Sequence, residues 1–142
     1  MMKKEEFFNH IGTINRYALL DRMRMDCEYW LGAGNRCNKH LWGGYPDDQI
    51  QYMTWLYESF SDTEKPEWMS IDLIKYYNSL MQVNIKDYKN EYFDIVSKYA
   101  GYYGEDFMKT DINRRIVYNR AAEEFIRKHG EKTFHKISEG WK

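Results

Sequence analysis

The sequence predicts a mainly α-helical protein, and two observations lead to this prediction. Apolar residues recur at helical spacing in five long stretches, and no stretch alternates apolar and polar residues for long enough to require a sheet. The chain has 142 residues, of which 43% are hydrophobic and 18% are aromatic. This length and composition favour a single compact domain over residues 1–142, with a core built largely from aromatic side chains.

Three helices are predicted in the first part of the chain. The first spans residues 13–31, where Leu20, Met23 and Cys27 begin a single apolar stripe. The second spans residues 46–60 and begins with a proline, whose fixed φ suits the first turn of a helix. The third spans residues 70–81 and begins with a serine that can cap it.

Two further helices are predicted in the second part. Residues 88–99 carry apolar side chains at spacings of four, seven, eight and eleven, and residues 110–129 form a fifth helix that ends at Gly130. The pattern at residues 133–137 does not distinguish a helical turn from a strand. A small β-hairpin made by residues 83–85 and 133–137 therefore remains an alternative at this point.

The near-neutral net charge of −1 hides two segments of opposite sign. Residues 43–74 carry one basic and seven acidic side chains, whereas residues 108–142 carry nine basic and five acidic ones. Solvated helix faces collect such charge without any partner, but the same distribution would suit two surfaces with different partners.

Signatures of catalysis and of metal binding are missing from the sequence. It has no phosphate-binding loop, no nucleophile elbow and no HExxH motif, and its adjacent carboxylates point about 100° apart on a helix. Cys27 and Cys37 lack the spacing of a zinc site, and a disulfide between them is not expected. We therefore expect no catalytic residue, no metal and no cofactor, a protein that is not an enzyme, and no membrane span.

The glycine-rich stretch 32–45, between the first two predicted helices, is the densest polar cluster. It is consistent with an ordered loop, with a protein-binding surface, or with a site for a small nucleotide. The residues expected to contact a partner, here and at the start of the following helix, are Asn35, Arg36, Asn38, His40, Trp42, Asp47 and Asp48.

The fifth predicted helix offers a second candidate surface, because it is strongly basic. Its cations could follow the phosphates of a nucleic acid, with exposed tyrosines as stacking platforms, although an acidic protein partner would suit them as well. The residues concerned are Arg114, Arg115, Arg120, Arg127 and Lys128. Aromatic side chains predicted to lie in loops, where they would meet a partner, are Trp42, Tyr45, Tyr102 and Tyr103.

Several fixed spacings resemble those of a known family. The segments LLDRM (19–23), DCEYWLG (26–32), HLWGG (40–44) and KPEW (65–68) look like a large polyvalent protein-associated domain, the eleventh of its series, over about residues 15–77. Such domains occur in phages, plasmids and conjugative elements, beside anti-restriction or DNA-processing modules. The resemblance divides the chain into a helical unit at residues 13–77 and a basic helical extension at residues 78–142.

The resemblance implies a protein of a phage or mobile genetic element that acts in the bacterial cytoplasm. The leading functional expectation is an anti-defence protein, of the anti-CRISPR inhibitor type, that binds a bacterial defence protein or ribonucleoprotein complex without catalysis. The alternative is a nucleic-acid-binding accessory module that uses the basic helix. The family brings no catalytic residues to either reading.

Overall fold

A computed structural model describes residues 1–139 and residue 141. Within these residues the chain forms seven α-helices and two short 3-10 turns, and they contain no strand. The prediction of a mainly α-helical fold is therefore confirmed. The helices are α1 (Lys4–Ile11), α2 (Arg16–Leu31), α3 (Pro46–Glu58), α4 (Ile71–Leu80), α5 (Ile85–Tyr103), α6 (Asp111–His129) and α7 (Glu131–Ser138), with 3-10 turns at Asn38–His40 and Phe107–Lys109.

The starts of most helices are encoded by single residues. Side-chain oxygens of Asn15, Ser70, Asn84 and Thr110 each accept a backbone N–H in the first turn of α2, α4, α5 and α6. Each such bond satisfies one of the N–H groups that the helix itself leaves without a partner. Pro46 is the first residue of α3, where its missing N–H costs nothing.

The structure differs from the sequence prediction at several places, one of which is the fourth predicted helix, residues 88–99, which extends from Ile85 to Tyr103 as α5. The first predicted helix begins at Arg16 rather than at residue 13, because Asn15 caps it. Helix α1 was not predicted, since it has eight residues and only Phe7 and Ile11 are buried. Residues 133–137 lie in α7 and Ile85 begins α5, so these segments do not form the alternative hairpin.

The chain divides into two compact units, Met1–Val83 and Asn84–Lys142. The first unit contains α1 to α4, and the second contains α5 to α7. The first unit carries 9 basic and 12 acidic side chains, for a net charge of −3, and the second carries 12 and 10, for a net charge of +2.

The core of the first unit is aromatic at its centre. The ring of Phe7 stacks on that of Tyr52 with centroids 4.7 Å apart, and Trp42 meets Phe7 edge to face. Trp30 is fully buried. Aliphatic, sulfur-containing and aromatic side chains complete this core, namely Ile11, Leu19, Leu20, Met23, Cys27, Leu41, Met53, Leu56, Phe60, Met69, Ile74, Tyr77 and Met81.

The second unit has its own, smaller core between α5, α6 and α7. Phe125 lies at its centre and meets the rings of Tyr92 and Phe134. Val117, Ala121 and Ile137 are fully buried around it. Each unit therefore buries its own set of apolar side chains.

Candidate functional site

The loop between α2 and α3, residues 32–45, is held to the first unit by buried hydrogen bonds. The Oδ1 atom of Asn38, which is 0% exposed, accepts a bond of 2.9 Å from the indole N–H of Trp30. The N–H of Gly43 donates to Oε1 of Gln49 at 2.7 Å, and Nε2 of Gln49 donates to the carbonyl of Met23 at 3.1 Å. A buried Asn and a buried Gln thus fix the loop from within.

The loop backbone also follows a path that few residue types permit. Asn35 and Arg36 have φ angles of 50° and 58°, in the left-handed region that disfavours most side chains. At Gly34, an added Cβ would lie 2.7 Å from the carbonyl oxygen of Tyr29, so only glycine fits without movement. The loop is therefore an ordered element, which agrees with one of the readings that the sequence left open.

Three of the seven predicted partner-binding residues are turned into the first unit. Asn38 and Asp48 are buried, so a partner could reach them only if the loop opened. Trp42 is half-buried against the core, and its backbone N–H donates to Oδ2 of Asp26 at 2.9 Å. Tyr45, predicted to lie exposed in a loop, is buried as well.

The other four, Asn35, Arg36, His40 and Asp47, are exposed. The guanidinium of Arg36 lies 4.8 Å from the ring centroid of Trp30 and donates to the carbonyl of Leu80. It is therefore held in place before any partner arrives. Asp47 stands apart from the loop in the first turn of α3, where the helix dipole favours a negative charge.

Side chains that the sequence analysis did not select extend this exposed surface. Met25 and Tyr29, one turn apart on α2, are 56% and 47% exposed, and Leu80 at the end of α4 is 39% exposed. The ring of His40 meets that of Tyr29 edge to face at 5.3 Å. We call this surface the loop face, which comprises Met25, Tyr29, Asn35, Arg36, His40 and Leu80.

In the second unit, helix α6 does not gather the predicted basic residues into one stripe. Arg115 and Arg120 are five residues apart, and at about 100° per residue they point about 140° apart. Both are exposed, and neither makes an ion pair or hydrogen bond with the residues that the structure describes. They are the cations of this set that remain available to a ligand.

The remaining basic residues of α6 have intramolecular contacts. Arg114 pairs with Asp111 and donates to the carbonyl of Met108 at 3.0 Å. Lys128 pairs with Glu91 at 2.7 Å. Arg127 acts on a neighbouring carboxylate, since its charge contributes to lowering the pKa of Glu124.

A pocket of about 410 Å³ lies between α5 and α6, and its lining combines aromatic rings with cations. Tyr102 and Tyr103 belong to the last turn of α5, not to a loop as the sequence predicted. Arg120 reaches the pocket from α6. Sequence reasoning identified these three residues but not their proximity. The lining residues are Lys98, Tyr99, Tyr102, Tyr103 and Arg120.

One carboxylate, Glu124, organises the wall of this pocket. It accepts two bonds from Nζ of Lys98, at 2.7 and 2.9 Å, and one from the hydroxyl of Tyr99 at 3.1 Å. The bonds from Lys98 outweigh the small effect of burial and hold the pKa of Glu124 below its usual range. Glu124 is thus held by Lys98 and Tyr99 of α5.

Burial also affects the pKa of titratable groups away from these two surfaces. Burial lowers the pKa of His129, although Glu91, which contacts its Nε2 atom, acts in the opposite direction. For Glu91, burial raises the pKa but is outweighed by the hydrogen bond from Lys128 and the proximity of His129, so the net shift is downward. In the first unit, burial raises the pKa of the Cys27 thiol to about 12. These groups lie within cores or at their edges, outside the loop face and the α5/α6 pocket.

Metal binding would need a group of at least three His, Cys, Asp or Glu side chains, and residues 1–139 and 141 contain no such group. Across the same residues, none of the helices is both long enough and apolar enough to span a membrane. Neither observation adds a candidate site to the two surfaces described above.

Comparison with known protein families gives a match for the first unit. The family model of the large polyvalent protein-associated domain 11 matches residues 13–81, which lie in the first unit and include its helices α2 to α4 and the whole loop 32–45. The comparisons with curated proteins and with solved structures both give no significant match. The resemblance found in the sequence is confirmed, because the model of this family matches residues 13–81, slightly less than half of the chain.

Proposed function

We propose that this chain is a non-enzymatic interaction protein that inhibits a bacterial defence complex by occupying one of its surfaces. The form we favour is an anti-CRISPR-type inhibitor that acts in the cytoplasm of the bacterial host. The observation that carries the proposal is the loop face, an exposed aromatic and apolar surface built on an ordered loop. The partner would be a defence protein or a ribonucleoprotein complex.

The family supports the setting of this proposal. A domain of this type indicates a polyvalent protein of a phage or other mobile element. A protein that blocks a partner by contact needs a complementary surface and no catalytic group, which suits the exposed aromatic, apolar and basic side chains of the loop face.

The composition of the loop face is that of a binding surface. Tyr and Arg dominate the strongest contacts of protein interfaces, and Met is enriched there. The ring of Tyr29 lies against Gly34, and the guanidinium of Arg36 lies over the ring of the next residue of α2, Trp30. Because hydrogen bonds and left-handed backbone already order the loop, binding would lose little conformational entropy.

The test places a charge at each of the two aliphatic side chains of this surface. Met25→Glu and Leu80→Glu each put a carboxylate on the loop face, and both side chains are exposed, so folding should be retained. Each variant is compared with the wild type for inhibition of a panel of CRISPR and restriction systems, and for co-purification of the target complex. We expect inhibition and co-purification to fall together.

Ile14→Glu is the matched control, because Ile14 is a similarly exposed apolar side chain just before the opposite end of α2. It should inhibit as well as the wild type does. If the wild type inhibits no system in the panel, the proposed function is wrong. If all three variants inhibit equally, the loop face is not the binding surface.

A second candidate function, a nucleic-acid-binding accessory module, is favoured by Arg115 and Arg120. Both guanidinium groups are exposed and make no ion pair with the described residues, in a unit of net charge +2. Binding that depends on them should weaken steeply with salt, because each neutralised phosphate releases counterions. Titration of a labelled oligonucleotide at low and high salt tests this candidate, and a flat titration at low salt would remove it.

A further inference from the structure

The pocket between α5 and α6 has a composition suited to one class of ligand. From its residues we propose that it binds a nucleotide, with the base stacked on Tyr102 and the phosphate held by Arg120, either as a free nucleoside phosphate or as one unit of a single strand. This inference deepens the nucleic-acid-binding candidate and rests on it. It assigns that candidate a place in the fold.

The aromatic side of the pocket combines a supported ring, Tyr103, with an exposed ring, Tyr102. The ring of Tyr103 stacks on Phe107, with centroids 4.4 Å apart and planes 17° apart, and Tyr102 meets Tyr103 edge to face at 5.4 Å. Tyr102 is 83% exposed, so nearly all of its ring is open to a ligand. An exposed ring that is held by a second, supported ring is a platform on which a base can stack with little ordering of the protein.

The charge balance of the pocket leaves one cation available. Lys98 is engaged by Glu124 and lies 4.8 Å from the centroid of the Tyr99 ring. Glu124 accepts three bonds from these two residues. Arg120, one turn before Glu124 on α6, forms no ion pair with it or with any other described residue. A guanidinium that is not already in an ion pair can bind a phosphate with two parallel hydrogen bonds.

The size of the pocket agrees with this ligand. Its volume of about 410 Å³ lies toward the lower end of the range for small-molecule sites, about 300–1,000 Å³. It is lined by three tyrosines and two cations, which provides stacking surfaces and a net positive charge but little purely aliphatic surface. An apolar ligand would leave Arg120 unused, whereas a nucleotide uses both features.

Fluorescence anisotropy measures how a labelled single-stranded oligonucleotide of about 15 nucleotides binds to the full chain. The oligonucleotide is tested both as DNA and as RNA. Tyr102→Ala removes the platform and should weaken binding about tenfold, since stacking of one base contributes about that much affinity. Tyr102→Phe keeps the ring and should bind like the wild type. Adenosine monophosphate and inorganic phosphate, added separately as competitors, show whether the base contributes to binding or whether the phosphate alone is sufficient.

Arg120 has a matched control on the same helix. Arg120→Gln and Arg115→Gln each remove one positive charge from an exposed residue that makes no ion pair with described residues, but only Arg120 lines the pocket. Arg120→Gln should weaken binding several-fold more than Arg115→Gln. Tyr76→Ala, which removes an exposed tyrosine from the first unit, controls for the general loss of a ring and should have no effect.

The outcomes separate the inference from the function on which it rests. If the wild-type chain binds neither oligonucleotide nor adenosine monophosphate, the pocket and the nucleic-acid candidate both fail. If oligonucleotides bind but the two arginine variants lose affinity equally, or Tyr102→Ala has no effect, only the pocket is refuted. If adenosine monophosphate competes and inorganic phosphate does not, the base contributes as proposed.

Discussion

Removing the buried side chain of Asn38 should destabilise the first unit by about 2 kcal/mol or more. In Asn38→Ala the indole N–H of Trp30 loses its acceptor in a fully buried site. A buried donor without a partner costs about 1–3 kcal/mol, and the space left by the amide adds to this cost. The magnitude therefore depends on a hydrogen bond that the sequence alone did not reveal.

A double-mutant cycle isolates this hydrogen bond from the packing of the two side chains. Trp30→Phe removes the N–H together with part of the ring, so the double variant has no donor left without a partner. We expect Asn38→Ala and Trp30→Phe together to destabilise by about 1–2 kcal/mol less than the sum of the single changes. Asn9→Ala, at an exposed position of α1, should change stability by less than about 0.5 kcal/mol.

Urea unfolding followed by tryptophan fluorescence is suited to this measurement, because four of the five tryptophans lie in the first unit. The midpoint and slope of each transition give the free energy of unfolding. If the single changes at Asn38 and Trp30 add within about 0.3 kcal/mol, the two side chains are not coupled and our account of the loop is wrong.

Three further outcomes are expected. Gly34→Ala should lower the unfolding midpoint of the first unit, because its methyl group would collide with a backbone carbonyl of α2; an unchanged midpoint in thermal unfolding would contradict this. The pKa values of His129 and Glu91 are lower in the folded state than in the unfolded state. The stability that these groups contribute is therefore present above their unfolded-state pKa values and is lost as the pH falls through their folded-state pKa values. The free energy of unfolding of the second unit should thus decrease from about pH 6.5 downward, and His129→Gln should flatten the upper part of that curve in urea titrations. In the native chain a thiol reagent at pH 8 should modify Cys37 but not Cys27, because burial raises the pKa of Cys27 to about 12. In urea the reagent should modify both cysteines. Mass spectrometry showing Cys27 labelled under native conditions would refute this assignment.

The sequence predicted the helices because their signals are local. Ser70 and Thr110 cap the helices that follow them, and Pro46 begins α3, as their chemistry dictates. Helix α1 escaped prediction because eight residues with two buried apolar positions give too short a pattern. It is stabilised by a distant contact, the stacking of Phe7 on Tyr52, which no local pattern reveals.

The candidate surfaces could be predicted less completely, because exposure depends on tertiary contacts. Asn38 and Asp48 were assigned to a binding surface on their polarity, yet both are buried. Met25 and Tyr29 could have been found, since they lie off the apolar stripe of α2 and one turn apart. The pocket at Arg120 could not have been predicted, because it forms only when residues about twenty positions apart meet across two helices.

The division at residues 83 and 84 has a consequence for how this gene can change. Each unit keeps a complete set of buried side chains on its own side of that position, and the matched domain ends two residues before it. A recombination breakpoint there would transfer either segment with its hydrophobic interior whole. The first unit, Met1–Val83, could thus acquire a different carboxyl-terminal neighbour in a single exchange, without compensating substitutions in its own interior.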